Sequence, residues 1–422
     1  MLECHHWLRH KDVYGPLSSV TVLGQTFIII NDPEIAFELL RDRSAIHSSR
    51  PSQTFSGDMV GWRHAIAMTP YSAEWKIHRK NITKIASTNV SVSVFDKAQE
   101  TEAAHFLLNL LESPDKLFDH IRKEAGSVIL KITYGYTAVA NGNDPFVDMA
   151  AKTMEQFADA TVPGKWSVDI FPFCLGSDAE MEFVHKWTAL ALYLGGADTT
   201  VSSIMTFFLA MTVFPEVQKK AQEELDRVIG GGRLPVSKDK ESLPYIEAIM
   251  KETHRWHLVA PMCLPHCSTE EDTCRGYRIP KGSILLPNNW HFTHDPEVYP
   301  DPMVFRPERF LETPTHKSEP DPRNFIFGYG RRICPGRYVA DNALFITIAQ
   351  TLAVFDITKF VDGDGRVVEP EVKFEPGAIS HPVPYRCSIK PRSEAHERLI
   401  KASEKLFPWE ESDAKELENI SW

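Results

Sequence analysis

The residues with the clearest chemical potential lie in a glycine-rich segment, Phe327 to Gly336, directly before a predicted helix. Cys334 stands at the start of that helix, where free backbone N–H groups and the helix dipole favour a thiolate over a thiol. Gly330 and Gly336 would let the backbone approach a flat cofactor closely, and Arg332 is placed to reach a carboxylate. For the cysteine alone, a buried structural role is the common alternative.

A second pattern joins one acidic and two basic residues. Glu252 and Arg255 have the i, i+3 spacing that places two side chains on one helix face, where they can form an ion pair. Such pairs are frequent on solvated helices and carry little information alone. Arg309, further along the chain, could complete a Glu–Arg–Arg cluster with them.

A third pattern places two glycines, an acid and a hydroxyl inside a predicted helix. Gly195 and Gly196 there cost about 1 kcal/mol each relative to alanine, so the site requires a reason. A groove or a local opening of the helix would admit a small ligand, and Asp198 and Thr199 would then pass protons to it. Tight helix–helix packing through small residues is the alternative, and the sequence leaves it open.

The long apolar stretch 187–215 carries these glycines. Its length would span a bilayer, but the polar residues in its middle favour a buried helix near a polar site. Further elements are predicted on both sides of it: a hairpin of strands 20–23 and 26–30, a helix from 32 to 40, a loop over 51–71, helices over 72–83, 98–111, 114–133, 215–230, 243–256 and 338–354, and strands 258–262 and 283–286. On the helix 215–230, Glu223, Glu224 and Arg227 are predicted to face solvent.

Composition excludes some classes of protein. The chain has 422 residues and a formal charge of -11, and no basic run dominates any segment, which argues against nucleic acid as a partner. Its seven cysteines are odd in number and scattered, so they predict a reducing environment rather than a disulfide framework. We expect a single domain over 1–392, with a β-rich part at about 13–60. Residues 393–422 are predicted to form a charged tail, as a surface helix or a loose segment.

Together these patterns resemble those of the cytochrome P-450 superfamily. The family's cysteine-loop pattern F-x-x-G-x-R-x-C-x-G, its E-x-x-R pair with a later arginine, its oxygen-activating helix motif and its W-x-x-x-R pattern are matched in order. The matching residues are Phe327, Gly330, Arg332, Cys334 and Gly336; Glu252, Arg255 and Arg309; Gly196, Asp198 and Thr199; and Trp75 and Arg79. His266 falls where the family often places another contact to a haem propionate.

The resemblance implies a mainly helical fold with small β-sheets, and haem b between the central helix and the cysteine-loop helix, its iron ligated by Cys334. It implies that Asp198 and Thr199 act in catalysis. It also implies that the haem is contacted by Trp75, Arg79, Gly196 and the cysteine-loop residues Phe327, Gly330, Arg332 and Gly336. The activity implied is that of a monooxygenase that uses O2. A thiolate ligand favours cleavage of the O–O bond.

The resemblance is greatest to fungal microsomal members, which implies a small lipophilic substrate in secondary metabolism or detoxification. It also implies a monomer on the cytosolic face of the endoplasmic reticulum membrane; a soluble or cytoplasmic protein is the alternative if the family's amino-terminal anchor helix is absent. The glycine run 230–232 follows a helix and opens none, so it is no dinucleotide fingerprint. Electrons must then come from an NADPH-dependent reductase. Candidate reductase contacts are Lys76, Arg79, Lys80 and Lys84, and candidate pocket linings are 51–71, 258–262 and 376–380.

Two parts of the family pattern are missing from this sequence. The chain starts after the position of the amino-terminal anchor helix, and only 22 residues separate Pro172 from Gly195, where the family has several helices over the substrate. One short helix over 174–187 is all that we expect there. The chain is then an incomplete gene model or splice form, an intact short form with an open pocket, or a haem binder without turnover.

Other classes of protein compete with the monooxygenase. A haem-thiolate isomerase or dehydratase shares the cysteine loop, and a haem sensor or carrier needs no catalysis. A zinc module is the third alternative, because Cys263, Cys267 and Cys274 lie close together with His266 between them. Their spacing does not match the common paired zinc-finger patterns.

Overall fold

The computed structural model describes residues 2–140, 142–161, 166, 168 and 184–417. Helices dominate these residues. In chain order they are α1 (Glu3–Tyr14), α2 (Pro33–Ala36), α3 (Ala73–Ala86), α4 (Asn89–Val92), α5 (Asp96–Glu112), α6 (Leu117–Tyr134), α7 (Pro145–Ala160), α8 (Val184–Val213), α9 (Pro215–Val228), α10 (Pro244–Trp256), α11 (Asn289–His294), α12 (Arg323–Ile326), α13 (Arg337–Val354), α14 (Glu394–Leu406) and α15 (Ala414–Leu417). The predicted mainly helical fold is therefore confirmed.

The strands form three small sheets. They are β1 (Leu17–Val22), β2 (Gln25–Ile30), β3 (His266–Cys267), β4 (Asp272–Cys274), β5 (Tyr277–Ile279), β6 (Ile284–Pro287), β7 (Phe355–Val361), β8 (Val367–Val368) and β9 (Cys387–Pro391). The sheet orders are β1-β2-β6-β3, β4-β5 and β8-β7-β9, and β2 pairs with β6 in parallel. The predicted hairpin is β1–β2, and its turn has left-handed φ angles at both Leu23 and Gly24 (51° and 85°), as tight hairpins favour.

The core is built around α8. Phe207, Phe208 and Leu209 on this helix are 0% exposed and pack with residues of α5, α10 and α13. Within the described ranges, no single helix has both the length and the apolar character to cross a membrane. The part of α8 from residue 192 passes such a test only when joined to α9, with a bend of 104° between them. The burial of Phe207, Phe208 and Leu209 confirms the predicted buried helix.

Local signals explain several helix starts. Asp32 accepts a hydrogen bond from the Ile35 amide (2.9 Å) at the start of α2, and Pro33 occupies the first turn. The predicted helix to residue 40 changes at residue 37 into a π-helical segment, Phe37–Asp42. Ser72 accepts from the Trp75 amide (3.2 Å) and starts α3, which carries the W-x-x-x-R pattern.

The prediction that Glu224 faces solvent is wrong. Its side chain is buried, and its carboxylate accepts the backbone N–H groups of Tyr245 and Ile246 at 3.0–3.1 Å. These amides belong to the first turn of α10, which has no partner of its own for them. Burial raises the pKa of Glu224, and the two amides oppose that rise. Amphipathic periodicity could not reveal this contact, because a second helix supplies the partner.

The strand predicted at 258–262 is also wrong, because these residues form bends and turns. At the end of the chain, α14 buries Ile400 against α5, and Trp409 stacks on His105 with 3.7 Å between the ring centroids. A domain boundary at 392 stays a prediction. The short helix expected over 174–187 falls mostly outside the described residues, which resume at 184.

Candidate active site

Backbone hydrogen bonds within the cysteine loop hold its shape. The Cys334 amide donates to the Phe327 carbonyl (2.7 Å), and the amides of Gly336 and Arg337, at the start of α13, donate to the Cys334 sulfur. Burial raises the pKa of the Cys334 thiol, while these amides and the charges of Arg79 and Arg337 act in the opposite direction. The helix start therefore helps the thiolate as predicted, but it does not outweigh burial, and a metal cation would complete the deprotonation.

The structure explains the two glycines of the cysteine loop in different ways. Gly330 has a φ of 50°, and a Cβ there would stand 2.5 Å from the Leu40 carbonyl oxygen and 2.9 Å from Ser44 Cβ. Its glycine is required by packing against the π-helical segment, and a contact between Gly330 and a cofactor stays a prediction. At Gly336, a Cβ would meet only the Cys334 sulfur, at 4.0 Å, so the space beside the sulfur is open.

Arg332 is buried beside the loop, with an exposure of 8%. It donates to the carbonyls of Ser48 (2.6 Å), Thr69 (2.8 Å) and Ile66 (3.2 Å). Its guanidinium also lies against Trp75 of α3. The structure thus joins two predicted motifs, the cysteine loop and W-x-x-x-R, through one side chain.

Two further arginines lie nearby. Arg79, on α3, donates to the Ile333 carbonyl at 2.5 Å. Arg50, with an exposure of 7%, donates to the carbonyls of Ala67 (2.7 Å), Leu264 (2.9 Å) and Pro265 (2.7 Å). Sequence patterns did not single out Arg50. One signal was available: Arg50 precedes Pro51, which favours extended backbone at Arg50, and it lies at the edge of the predicted pocket loop.

These three arginines share one electrostatic property. In the described part of the chain, no ion pair joins Arg50, Arg79 or Arg332 to a carboxylate. Burial lowers the pKa of Arg332 to about 8, with Arg50 and Arg79 acting in the same direction, and it lowers the pKa of Arg50 to about 10. Buried cations without an anion are unstable. The cluster therefore fits a ligand that carries carboxylates.

His266, on β3, adds a polar atom to this cluster. Its ring is 0% exposed, and Nδ1 donates to the His47 carbonyl at 2.7 Å. Nε2 is buried and has no hydrogen-bond partner among the described residues. Burial lowers the pKa of His266 well below its usual value, and the nearby charge of Arg50 adds to this. Because Nδ1 carries the proton of the neutral ring, the free Nε2 is an acceptor and can bind the O–H of a ligand's carboxylic acid group.

Each of the two predicted explanations of the glycine motif in α8, helix packing and an open groove, applies to one of its glycines. A Cβ at Gly196 would stand 2.6 Å from Ile129 Cδ1 on α6, so this glycine is explained by helix packing. A Cβ at Gly195 would meet nothing within 4 Å, so the open groove lies there. The Thr199 hydroxyl donates to the Gly195 carbonyl (2.7 Å). The helix stays α-helical through this region, so the predicted local opening does not occur.

The predicted Glu–Arg–Arg cluster forms in the core. Arg255 donates to both oxygens of Glu252 (2.7 and 2.8 Å), and Arg309 lies 3.4 Å from one of them; the three side chains are 0–1% exposed. Arg255 also donates to the Thr293 carbonyl on α11 (3.1 Å). On the same helix, Asn289 donates to the Phe325 carbonyl (3.0 Å) and accepts from the Tyr329 hydroxyl. The cluster thus supports the cysteine loop through α11.

The zinc alternative has no support in the geometry. Across the described ranges, no group of three or more His, Cys, Asp or Glu side chains is placed to hold a metal ion. Cys274 is 0% exposed and packs in the apolar cluster of β1 and β2, whereas Cys263 lies beside the cysteine loop near Gly328. The spacing of these cysteines therefore reflects their separate packing.

A partly buried cysteine at a helix start, arginines without ion-pairing carboxylates beside it and a central helix with an acid and a hydroxyl together point to a cofactor-dependent enzyme. Comparison with known proteins identifies it. The family model described as cytochrome P-450 matches residues 3–180 and 186–387. The chain belongs to the cytochrome P-450 family and is an oxidoreductase of the monooxygenase type. The family binds haem through a cysteine thiolate and generally uses O2 and a reductase.

The similar proteins include several fungal enzymes. Cytochrome P-450 monooxygenase claR of Ampulloclitocybe clavipes is 41% identical over 448 residues, covering 94% of this chain and 83% of the relative. Cytochrome P-450 monooxygenase ppsD of Aspergillus oryzae is 40% identical over 479 residues, covering 99% and 90%. A solved structure of a zebra fish cytochrome P-450 with abiraterone has a TM-score of 0.73 at 22% identity, covering 92% of this chain and 100% of that one, which shows a shared fold.

Proposed function

We propose that the chain is a haem-thiolate monooxygenase that inserts one oxygen atom of O2 into a small lipophilic substrate of secondary metabolism or detoxification. Cys334 would ligate the iron of haem b. The observation that carries this proposal is a set of cations around the cysteine loop that have no ion-pairing carboxylate among the described residues: the buried Arg50 and Arg332 and the partly buried Arg79.

The residues of the site divide the binding of haem b between them. The three arginines would hold the two propionate carboxylates, since charge-assisted hydrogen bonds to carboxylates are the strong ones. His266 Nε2 would accept a hydrogen bond from a propionate group that keeps its proton. Bound haem supplies the iron that activates dioxygen, and its thiolate ligand favours cleavage of the O–O bond. Trp75 would position Arg332 through the contact between its ring and the guanidinium.

Two residues of α8 would handle protons. The Thr199 hydroxyl is held by the Gly195 carbonyl, so its oxygen can accept a hydrogen bond from the open groove beside Gly195. Asp198 is partly exposed, which lets its carboxylate take protons from water. Together they would hold and deliver protons at the reacting oxygen, a role that the geometry supports for the family's acid–hydroxyl pair.

The relatives support the substrate class. One of them, 37% identical over 467 residues, covering 97% of this chain and 87% of the relative, is named O-methylsterigmatocystin oxidoreductase and comes from Aspergillus flavus. Its name gives an O-methylated organic compound as the molecule that this relative oxidises or reduces. We infer a small lipophilic organic substrate for this chain.

We infer that electrons come from an NADPH-dependent reductase at the cytosolic face of the endoplasmic reticulum membrane. Lys76, Lys80 and Lys84 are exposed on α3 at i, i+4 spacing and offer a cationic face to an acidic partner. Arg79 is a poorer candidate for this contact than the sequence predicts, because its guanidinium points inward to the Ile333 carbonyl.

A second candidate function is haem binding with impaired turnover. The alignment with the Aspergillus oryzae relative runs over 479 positions although this chain has 422 residues, so that relative carries segments without a counterpart here. The family match is also interrupted between residues 180 and 186. The position of this interruption, taken with the missing segments, supports the inference that roof helices are absent between Pro172 and Gly195. Sequencing the transcript across this region tests whether the shorter form is produced.

The central proposal is tested by the spectrum of the reduced, haem-loaded chain with carbon monoxide. We expect a strongly red-shifted Soret band that is lost in Cys334→Ala and kept in the matched control Cys267→Ala. An unshifted band, or no haem uptake, would contradict thiolate ligation. Thr199→Ala should lower product formed per electron consumed by roughly tenfold or more, and an unchanged ratio would remove Thr199 from the mechanism.

A further inference from the structure

The Asp198 carboxylate has a partner outside the motif that predicts it. Its Oδ2 lies 3.3 Å from Nε2 of His381, a residue 183 positions later in the chain. The two side chains are 25% and 21% exposed. The pair therefore stands at the border between the buried interior around α8 and water.

The turn that carries His381 is fixed by contacts that do not involve Asp198. Ser380 is 0% exposed, and its amide donates to the Val259 carbonyl (2.8 Å). Its carbonyl accepts from the Ser202 hydroxyl (2.6 Å) and from His257 Nε2 (3.1 Å). On the other side, the His381 carbonyl accepts from a backbone amide, that of Glu375 (2.8 Å). The imidazole thus projects from a backbone that is already in place.

The spacing on α8 matches this turn. Asp198 and Ser202 are four residues apart, so they lie one above the other on one face of the helix. They contact the consecutive residues His381 and Ser380. Because both contacts must form together, the turn cannot shift along the helix without breaking one of them. The backbone that carries His381 is already fixed, so its imidazole can hold the Asp198 carboxylate more precisely than a mobile side chain could.

We propose that His381 is a positioning residue for Asp198. By donating from Nε2, it holds the carboxylate in one orientation and so sets its place relative to Thr199 and the reacting oxygen. The Thr199 hydroxyl is already committed to the Gly195 carbonyl, so the carboxylate is the part of the proton path whose orientation remains to be fixed. This inference rests on the proposed monooxygenase function for its purpose, but not for the contact itself.

A double-mutant cycle tests the contact without any need for turnover. Asp198→Ala, His381→Phe and the double variant are compared by urea unfolding. We expect the double variant to deviate from additivity by about three- to tenfold in the unfolding equilibrium constant. His381→Gln can still donate and should retain most of that coupling. The exposed His316→Phe should be additive with Asp198→Ala. Additivity for His381→Phe would overturn the proposal even if the enzyme is active.

A second readout reports the orientation itself. The infrared C–O stretching band of the reduced, carbon monoxide-bound protein responds to polar groups near the bound ligand. We expect this band to shift or broaden in His381→Phe and to return towards the wild-type position in His381→Gln. A wild-type band in His381→Phe would overturn the proposal. Failure to take up haem would instead reject the proposed function, and the unfolding cycle would still decide the contact.

Discussion

The guanidinium of Arg332 lies over the indole ring of Trp75, with 4.6 Å between the guanidinium carbon and the ring centroid. A cation over an indole ring contributes about 1–2 kcal/mol when it is shielded from water. The contact joins the cysteine loop to α3 and orients one of three arginines that have no carboxylate partner in the described chain.

Arg50→Gln should weaken retention of haem. The substitution removes a buried cation and its hydrogen bonds to three carbonyls. Hydrogen bonds to charged groups contribute about 1.5–3 kcal/mol, so haem should transfer to an excess of apomyoglobin about 10- to 100-fold faster. The control is Arg63→Gln, at an exposed arginine paired with Asp58. Equal transfer rates for the two variants would remove Arg50 from the site.

Glu252→Gln should destabilise the fold by about 3–5 kcal/mol, because removing one member of a buried ion cluster leaves uncompensated charges. Here Arg255 and Arg309 would both lose their acid. The free energy of urea unfolding measures the loss. Glu369→Gln, at an exposed pair with Lys359, is the control and should change stability by less than about 1 kcal/mol. A loss at Glu252 no larger than this control would contradict the structural role.

The two glycines of α8 should respond in opposite directions to alanine. Gly196→Ala meets Ile129 and should cost about 1–3 kcal/mol. Gly195→Ala meets nothing within 4 Å and should gain up to about 1 kcal/mol from helix propensity. Because the two residues share one contact, the double variant with Ile129→Ala should lose less stability than the sum of the two single losses. Equal effects of the two alanines on unfolding would reject the packing explanation.

Stability should fall with acid because of two buried histidines. Burial lowers the pKa of His254 to about 4 and that of His257 to about 3. Between these values and the ordinary value near 6.5, the unfolded chain binds more protons than the folded one. Their contribution is therefore fully present above pH 6.5 and is lost as pH falls towards 4, by up to ~1.4 kcal/mol per pH unit for each histidine.

Urea unfolding at several pH values between 4.5 and 7.5 measures this slope. His257→Gln removes one titrating group and should reduce the slope by as much as one histidine contributes, while the exposed His316→Gln should leave it unchanged. A slope in His257→Gln equal to that of the wild type would show that the acid sensitivity has another origin.

Local chemistry made much of the fold predictable. The β1–β2 hairpin follows from its turn residues, the start of α2 from the Asp32–Pro33 cap, and the buried α8 from a long apolar run with polar residues in its middle. These signals all act over short stretches of chain. The Glu–Arg–Arg cluster was predictable because its motif is short and ordered. Positions whose partners arrive from far along the chain were not. Glu224 is buried by the start of α10, and Arg50 by carbonyls at 264–265.

The same limit applies to the candidate site. The spacing of Asp198 and Thr199 predicts an acid beside a hydroxyl, but the contact with His381 depends on how the 375–382 turn packs on α8. Gly330 looked like a glycine that gives access to a cofactor, whereas its surroundings are the carbonyl of Leu40 and the side chain of Ser44. A sequence motif therefore predicts which residue type occurs at a position, but the reason for that residue type depends on neighbours that only the tertiary structure shows.

The unneutralised arginines beside Cys334 also have a consequence for the cell that makes this protein. A ligand that binds only the folded state stabilises it in proportion to its supply, and a chain left unfolded is removed by proteases. The rate of haem synthesis would then limit the amount of folded protein, because chains made in excess of haem would be degraded. Feeding a porphyrin precursor would therefore raise the yield of protein without any change in transcription.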